Sequence, residues 1–254
     1  MQLAEQTVLV TGGGRGLGAR IVAAFAEAGA RVVINYRNSG AAAEELAAKF
    51  GPEQAVALQA DVTDAGQVAE LFSRAEAHFG GAVTTVVNNA LADFSINGAA
   101  RSSASDISWS EFEAQFSGSV RGALNTTQKA LHGMRGHRFG RIINIGTNLF
   151  QNPVVPYHDY TAAKAALLSL TRTLAADLGQ HNVTVNMVSG GLLRTTDASA
   201  ATPDEVFDLI AASTPLRRVT TPEELADAVL FFASPWARSV TGQNLMVDGG
   251  LVMN

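Results

Sequence analysis

The chain alternates short apolar runs, rich in β-branched residues, with longer stretches in which alanine and larger apolar residues recur at helical spacing. Near-continuous apolar runs are typical of strands that are buried on both faces of a parallel sheet. The runs that are predicted to be strands are Thr7–Val10, Arg31–Asn35, Ala55–Gln59, Thr84–Asn88, Arg141–Ile145, Thr184–Val188 and Asn244–Val247.

The stretches between these runs are predicted to be helices. In Leu17–Ala28, for example, Ile21 and Phe25 fall on one side of the helix, and Gly29 ends it. The other predicted helices are Ala41–Phe50, Gly66–Phe79, Glu111–Met134, Thr161–Leu178, Asp204–Ala212 and Glu223–Ala233.

The alternation of strand and helix predicts a fold of the α/β class. Right-handed crossovers would give a doubly wound parallel sheet with helices on both faces, which is a three-layer αβα sandwich, in one domain over residues 1–254. Ligands bind such sheets beyond the carboxyl ends of the strands. The residues that follow the strands are therefore the candidates for chemistry.

The composition narrows the classes of function. Of the 254 residues, 47% are apolar and 16% are charged, and the formal net charge is −5. Such a chain can bury a large core, and its acidity argues against nucleic-acid binding. The absence of cysteine excludes disulfides, thiolate metal sites and a cysteine nucleophile. Because no apolar run is long enough for a bilayer and the start does not resemble a secretory signal, we expect a cytoplasmic protein that does not bind membranes.

A glycine-rich segment follows the first predicted strand and opens the first predicted helix. Glycine allows a sharp turn and a close approach of the backbone to a pyrophosphate, and the helix N-terminus supplies unpaired N–H groups. A flexible loop is the alternative, but a position between strand and helix is the context that a dinucleotide site requires. The predicted cofactor contacts in this segment, which spans Thr11–Gly18, are Gly12, Gly14, Arg15, Gly16, Leu17 and Gly18.

The residues after the second strand indicate which dinucleotide is bound. A carboxylate there would bind the ribose 2′-hydroxyl of NAD, whereas this chain has Tyr36 and Arg37. Together with Arg15 in the glycine turn, Arg37 can bind the 2′-phosphate of NADP through charge-assisted hydrogen bonds. The alternative is a pair of solvated surface arginines and NAD as the cofactor. We favour NADP(H), with Tyr36 and Arg37 among its contacts.

Tyr160 and Lys164 follow the fifth strand at a spacing of four residues, which places them on one face of a helix. A phenol with a pKa near 10 is a poor acid–base group, but an adjacent ammonium and an oxidised nicotinamide would lower this pKa. Thr147, at the end of the same strand, supplies a hydroxyl that can hold a substrate carbonyl. The alternative is a half-buried aromatic residue that happens to precede a surface lysine.

Together these motifs resemble the short-chain dehydrogenase/reductase family along nearly the whole chain. The resemblance implies a Rossmann fold, in which Asp61 and Val62 contact the adenine and Asn88 and Ala90 line the cofactor cleft. It implies that Lys164 also holds the nicotinamide ribose. The residues that would edge the nicotinamide are Val188, Gly191 and Thr195. The segments that carry the resemblance are Thr11–Gly18, Asp61-Val62, Asn88-Asn89-Ala90, Thr147, Tyr160, Lys164, Asn186–Gly191 and Asp248-Gly249-Gly250.

Four positions depart from the family pattern. Thr147 stands where serine is usual, and its methyl group restricts the side-chain rotamers. Ser119 stands where an asparagine usually joins a water-mediated proton relay, and its shorter reach is the departure that most threatens activity. Leu91 replaces a glycine and is expected to crowd the cleft, while Gly190 replaces a proline and is expected to loosen the lead into the substrate loop. The catalytic candidates are Thr147, Tyr160, Lys164 and Ser119.

Tyr157 is an alternative to Tyr160. Six residues separate it from Lys164, a spacing typical of enoyl-thioester reductases in the same superfamily. Those enzymes usually have a different glycine turn, with serine and alanine near its end, and this chain also has a hydroxyl group at Thr147. We therefore favour Tyr160, and we interpret His158 as a loop residue rather than as a base.

The resemblance predicts metal-free hydride transfer from NADPH to a ketone, and the nearest likeness is to 3-oxoacyl-[acyl-carrier-protein] reductases. An apolar lid at about residues 191–215 suits an acyl chain. The basic run Arg135, His137, Arg138 and Arg141 is either a contact for an acidic carrier protein or a solvated turn. Two alternatives stay open: a reductase or dehydrogenase for another carbonyl or alcohol, and a cofactor-binding protein of this fold that has lost efficient catalysis.

The expected partners follow from the same resemblance. They are a small-molecule ketone or an acyl thioester, with acyl carrier protein as its carrier. Family members commonly form tetramers through their two long central helices, here Glu111–Met134 and Thr161–Leu178. We therefore expect a homotetramer or a homodimer.

Overall fold

The computed structural model describes residues 1–91, 98–194, 196, 199–200 and 202–253. Within these residues, the strands are β1 (Thr7–Val10), β2 (Arg31–Tyr36), β3 (Ala55–Gln59), β4 (Thr85–Asn88), β5 (Gly140–Thr147), β6 (Val183–Gly190) and β7 (Asn244–Val247). They form one parallel sheet in the order β3-β2-β1-β4-β5-β6-β7. The predicted parallel, doubly wound sheet is confirmed.

The helices of the described ranges are α1 (Gly16–Glu27), α2 (Gly40–Phe50), α3 (Ala65–Phe79), α4 (Trp109–Phe116), α5 (Gly122–His137), α6 (His158–Leu178), α7 (Asp204–Ser213) and α8 (Pro222–Ala233). The predicted helix Glu111–Met134 is in fact α4 and α5, joined by a π-helical turn at Ser117–Arg121. Within the described ranges, no helix has the length and apolarity that crossing a membrane requires.

Glycine explains why the long helix changes its winding there. Gly118 lies inside the π turn and Gly122 follows it, and glycine is a poor helix former. A Cβ atom at Gly122 would lie 2.8 Å from Cγ2 of Val62, in the segment after β3. The turn therefore lets the helix backbone pack directly against that segment.

Helices cover both faces of the sheet. On one face, α1, α2 and α8 contribute to a core cluster that includes Phe25 and Val229. On the other face, α3, α5 and α6 contribute to a second cluster that includes Phe72, Met134 and Leu178. The strand order runs in opposite directions on either side of β1 and β4, so the crossovers change face at this point and a crevice opens at the carboxyl ends of the strands.

Arg141 corrects one of the sequence-based alternatives. It was grouped with Arg135, His137 and Arg138 as a surface patch, but it lies at the start of β5 and is buried, whereas the other three are exposed. Its guanidinium lies 4.2 Å from the centre of the Phe139 ring and donates to the backbone carbonyl of Gly140 at 2.8 Å. Burial lowers the pKa of Arg141 to about 10. Of this basic run, Arg135, His137 and Arg138 remain available to contact a carrier protein, and Arg141 does not.

A chain of buried polar side chains ties β4 and β5 to α5 and α6. Asn88 donates from Nδ2 to Oδ1 of Asn144 at 2.8 Å, and its own Oδ1 accepts from the Thr126 hydroxyl at 2.7 Å. Asn144 donates from Nδ2 to the Thr171 hydroxyl at 2.8 Å, which in turn donates to the carbonyl of Leu167 at 2.8 Å. Such networks stabilise a fold only while every member keeps its partner.

The substitution Asn144→Ala is expected to lower the free energy of unfolding by about 2–4 kcal/mol, because it leaves a buried amide at Asn88 and a buried hydroxyl at Thr171 without this partner. Urea unfolding followed by circular dichroism measures the change. The control is Gln128→Ala, an exposed position on α5, which should change stability by less than about 0.5 kcal/mol. Equal effects of the two substitutions would contradict the role of the network.

Candidate active site

A cleft of about 810 Å³ lies at the carboxyl ends of the strands. This volume is at the upper end of the range of ligand pockets in proteins. The cleft extends from the turn after β2, past the glycine turn, to the end of β5. The predicted site residues that line it are Gly12, Arg15, Gly16, Leu17, Gly18, Tyr36, Arg37, Asp61, Val62, Ala90, Thr147, Tyr160, Lys164 and Gly191.

The glycine turn is built for close approach. A Cβ atom at Gly18 would overlap the carbonyl oxygen of Gly12, so only glycine fits where α1 crosses the turn. Gly12 has a φ of +62°, in the left-handed region that favours glycine. The turn leads directly into the N-terminus of α1, whose backbone N–H groups can bind a phosphate. This cradle fits the pyrophosphate of a dinucleotide.

Two asparagines that the sequence analysis did not single out as cofactor contacts hold the turn in place. Asn89 donates from Nδ2 to the carbonyl oxygens of Thr11 at 2.9 Å and Gly12 at 3.2 Å. Asn35 accepts from the Gly12 N–H at 3.4 Å and donates to the carbonyl of Ala60 at 3.0 Å. Both side chains line the cleft. They brace the phosphate-binding backbone against β3 and β4.

Asp61 and Val62 line the cleft near the turn after β2, where the resemblance leads us to expect the adenosine. Asp61 accepts from the backbone N–H of Thr63 at 2.9 Å and from the Thr63 hydroxyl at 2.7 Å, and its other oxygen lies 3.9 Å from Arg37. Burial raises the pKa of Asp61, but these hydrogen bonds and the charge of Arg37 outweigh burial and hold the pKa below its usual value. Asn125 fixes Val62 by donating to its carbonyl at 2.9 Å.

The reacting end of the cleft brings three of the catalytic candidates together. Tyr160 and Lys164 face inward from α6, one turn apart, and both are buried. Tyr160 forms a side-chain hydrogen bond with Thr147, the last residue of β5. Lys164 donates from Nζ to the carbonyl of Ile145 at 2.8 Å, and Nζ lies 5.8 Å from the centre of the Tyr160 ring.

The pKa of Tyr160 differs from the sequence-based expectation. The ammonium of Lys164 and an oxidised nicotinamide were together expected to lower it. In the protein alone, burial raises the pKa of Tyr160 to about 12, against the opposing effect of the hydrogen bond with Thr147. Burial also lowers the pKa of Lys164 to about 8. Without the cofactor, therefore, the ammonium does not outweigh desolvation, which penalises the charged form of both groups. Tyr160 therefore holds its proton at neutral pH.

Several predicted contacts do not line the cleft within the described residues. Gly14 faces α2, where a Cβ atom would meet Ser39 and Ala43. Asn88 is turned inward by its hydrogen bonds with Asn144 and Thr126, and its neighbour Asn89 lines the cleft instead. Val188, which was expected to edge the nicotinamide, is buried within β6 and is not among the described residues that line the cleft. Thr195 lies outside the described residues.

Ser119 lies within the π turn, next to the cleft-lining residue Gly118. Its Oγ is buried and, within the described residues, has no hydrogen-bond partner. A buried polar atom of this kind is a site for a bound water. Leu91, the departure that was expected to crowd the cleft, lines it and is partly exposed.

The alternative tyrosine, Tyr157, has a different environment. Its hydroxyl accepts from the backbone N–H of Gly98 at 2.9 Å, and its backbone carbonyl accepts from Thr161 at the start of α6. Tyr157 is not among the described residues that line the cleft. The geometry thus places Tyr160, rather than Tyr157, beside Thr147 and Lys164.

The substitution Lys164→Met is expected to stabilise the fold at pH 7. Because burial lowers the pKa of Lys164 from 10.5 to about 8, the unfolded chain binds this proton more tightly than the folded chain does. Keeping the charge in the fold therefore costs on the order of 3 kcal/mol below pH 8. Methionine removes this cost but leaves the Ile145 carbonyl without its donor, which costs about 1–3 kcal/mol, so we expect a net gain of up to about 2 kcal/mol in the free energy of unfolding by urea.

The pH dependence tests the cause. The wild-type protein gains stability as the pH rises from about 8 to 10.5, so the advantage of Lys164→Met should disappear over this interval. Lys129→Met, at an exposed position on α5, is the control for loss of a lysine. A Lys164→Met protein that is less stable than wild type at pH 7 would refute the explanation.

The chain is similar to known proteins along nearly its whole length. A family model described as Enoyl-(Acyl carrier protein) reductase matches residues 12–252. Short chain dehydrogenase/reductase AacuN of Aspergillus aculeatus is 35% identical, over 98% of this chain and 96% of that protein. 3-Oxoacyl-[acyl-carrier-protein] reductase MabA of Mycobacterium bovis is 32% identical, over 98% of this chain and 94% of that protein.

A solved structure extends the likeness to three dimensions. A protein of Agrobacterium tumefaciens, proposed to be a gluconate dehydrogenase, superposes with a TM-score of 0.89 at 29% identity, over 99% of this chain and 98% of that chain. The chain therefore belongs to the short-chain dehydrogenase/reductase family and is an oxidoreductase that uses a nicotinamide cofactor to interconvert a carbonyl and an alcohol.

Proposed function

We propose that the protein is an NADPH-dependent reductase that converts a ketone into a secondary alcohol. The observation that carries the proposal is the hydrogen-bonded pair Thr147 and Tyr160, buried beside Lys164 at the end of the cleft. A protonated phenol with a raised pKa suits the donation of a proton to a carbonyl oxygen. The glycine turn, which lines the same cleft between β1 and α1, fits the pyrophosphate of the cofactor.

The roles of the residues follow from their contacts. When bound, the nicotinamide supplies a hydride to the carbonyl carbon. Tyr160 gives its phenolic proton to the carbonyl oxygen, and Thr147 orients that oxygen through its hydroxyl. Loss of this proton leaves Tyr160 as a phenolate, which regains a proton from water. Lys164, which is held by its hydrogen bond to the Ile145 carbonyl, places a positive charge near this phenolate. Ser119 is the candidate for holding a water of that proton return.

The proposed preference for NADPH rests on charge at the adenosine end. The turn after β2 has no carboxylate to bind a ribose 2′-hydroxyl, and Arg15, Arg37, Asn38 and Ser39 all line the cleft there. Guanidinium groups bind a 2′-phosphate through charge-assisted hydrogen bonds. Asp61 lies 3.9 Å from Arg37 and orients this side chain along the cleft.

We propose a 3-oxoacyl thioester carried by acyl carrier protein as the first substrate to test. The likeness to MabA and the exposed Arg138, at the end of α5, support this class. A second candidate is another ketone or a secondary alcohol of a sugar acid, which the likeness to the Agrobacterium tumefaciens structure supports. Assays of NADPH oxidation with acetoacetyl thioester, an aromatic ketone, a keto sugar acid and a 2-enoyl thioester separate these classes.

The same substitution at two tyrosines tests the mechanism. Tyr160→Phe is expected to lower kcat for the ketone by about 10²–10⁴-fold, because it removes the proton donor, while NADPH binding is retained. The matched control, Tyr157→Phe, removes a hydroxyl that is hydrogen-bonded to Gly98 and is not part of the described cleft lining, so it should keep most of the turnover. Loss of activity in Tyr157→Phe together with retention in Tyr160→Phe would favour an enoyl-thioester reductase.

The same assays can also show that the protein binds NADPH but catalyses no reaction. If the wild-type chain binds NADPH but oxidises it with none of the carbonyl or enoyl substrates, the proposed reductase activity is wrong. That result would favour a cofactor-binding protein in which the departures at Leu91 and Ser119 have abolished catalysis.

The choice of cofactor can be tested at Arg37. Arg37→Ala is expected to raise KM for NADPH by about 10–100-fold, because a charge-assisted contact with the 2′-phosphate is lost and Asp61 is left to repel it. KM for NADH should change little, since NADH lacks this phosphate. Arg74→Ala, at an exposed position of α3 that does not line the described cleft, is the control. An equal loss with both cofactors would contradict the assignment.

A further inference from the structure

Leu225 reaches the cleft through space that Gly190 leaves open. A Cβ atom at Gly190, the last residue of β6, would lie 2.5 Å from Cδ1 of Leu225, so no larger residue fits without moving that side chain. Leu225 is buried in the first turn of α8, and both residues line the cleft. Gly190 was expected to loosen the lead into the substrate loop, but it instead serves as the contact surface for Leu225.

The backbone of Leu225 is held firmly. The N-terminus of α8 is capped by Thr221, which exchanges hydrogen bonds with Glu224 at 3.0 and 3.4 Å. Glu224 also forms an ion pair with Arg218, and Glu223 forms one with Arg20 of α1 at 3.0 Å. The side chain of Leu225 is therefore positioned relative to α1, the helix that follows the glycine turn.

The sheet register places this contact next to the reacting groups. Gly190 is the partner of Thr147 across β5 and β6, and Thr147 is hydrogen-bonded to Tyr160. Leu193, whose Cδ2 would lie 3.7 Å from a Cβ atom at Gly190, continues the hydrocarbon surface. One side of the reacting end is thus polar, with Thr147 and Tyr160, and the other side is aliphatic, with Leu225 and Leu193. A flat heteroaromatic ring can bind there with one of its faces against the aliphatic side.

We propose that Leu225, admitted by Gly190, forms the aliphatic wall against which the nicotinamide ring packs. Leu225 is then a positioning residue, which restricts where the ring lies relative to Tyr160. The inference rests on the proposed function, because it assigns the reacting end of the cleft to the nicotinamide. It concerns the ring that NADPH and NADH share, so it is independent of the contacts with the 2′-phosphate.

The first test compares Leu225→Ala with Val229→Ala, a fully buried position one turn further along α8 that does not line the described cleft. Leu225→Ala is expected to lower kcat by about tenfold or more, because misplacement of reacting groups is costly, and by the same factor with NADPH and NADH. Bound NADPH should also lose part of the fluorescence change that burial of its nicotinamide produces. Val229→Ala should affect stability alone.

The second test displaces Leu225 from the other side. Gly190→Ala is expected to displace Leu225 and impair both readouts, and the double substitution Gly190→Ala/Leu225→Ala should stay as impaired as Leu225→Ala, because the wall is missing from both. Gly136→Ala, at an open position of α5, is the matched glycine control. If Gly190→Ala does not fold, Leu225→Ala against Val229→Ala decides the proposal alone.

Two results overturn the proposal: Leu225→Ala equal to Val229→Ala in NADPH fluorescence and kcat, or a folded double variant that keeps the wild-type fluorescence change and kcat. The outcome is separable from that of the proposed function. A wild-type protein that reduces no carbonyl would refute the reductase activity, while the fluorescence comparison would still report on the wall. A reductase in which Leu225→Ala is normal would refute only the wall.

Discussion

The removal of water from Tyr160 and Lys164 is the constraint on which the site depends. Both groups lie against the end of β5, where the carbonyl of Ile145 accepts a hydrogen bond from the ammonium and Thr147 is hydrogen-bonded to the phenol. Desolvation raises the pKa of Tyr160 to about 12 and lowers that of Lys164 to about 8. The phenol of Tyr160, which keeps its proton, and the ammonium of Lys164, whose pKa lies near neutral pH, are thus held one helical turn apart.

Two glycines allow close packing around the cleft. Gly18 is packed onto the carbonyl of Gly12, and Gly190 is packed onto Leu225. In both cases the missing Cβ atom makes room for a neighbouring group that shapes the cleft. The glycine turn, midway along the cleft, and the reacting end are therefore shaped in the same way, by a missing Cβ atom.

The sequence predicted the elements that depend on local pattern. Continuous apolar runs identified the parallel strands, and the position of Thr11–Gly18 between a strand and a helix identified the phosphate-binding turn. The spacing of Tyr160 and Lys164 placed them on one helical face, where the structure has them. These features can be predicted without knowledge of tertiary contacts, because the periods of strands and helices determine them.

Features that depend on long-range contacts were beyond the sequence. Asn88 and Asn89 are neighbours in sequence, and only the network through Asn144 decides which of them turns inward. Arg141 looked like part of a basic patch until the register of β5 placed it in the interior. Leu225 carried no signal of its own, since a leucine in an amphipathic helix is ordinarily part of the core.

The site also has an energetic consequence for the fold around it. A buried lysine and a Ser119 hydroxyl that has no partner among the described residues both disfavour folding, and they lie on elements that pack against each other, α6 and the π turn. The network of Asn88, Asn144 and Thr171 joins the same α6 to the sheet, less than two turns from Lys164 along the helix. We infer that this fully partnered network offsets the cost of the reacting groups, because it holds α6 where desolvation of Lys164 would otherwise favour its release.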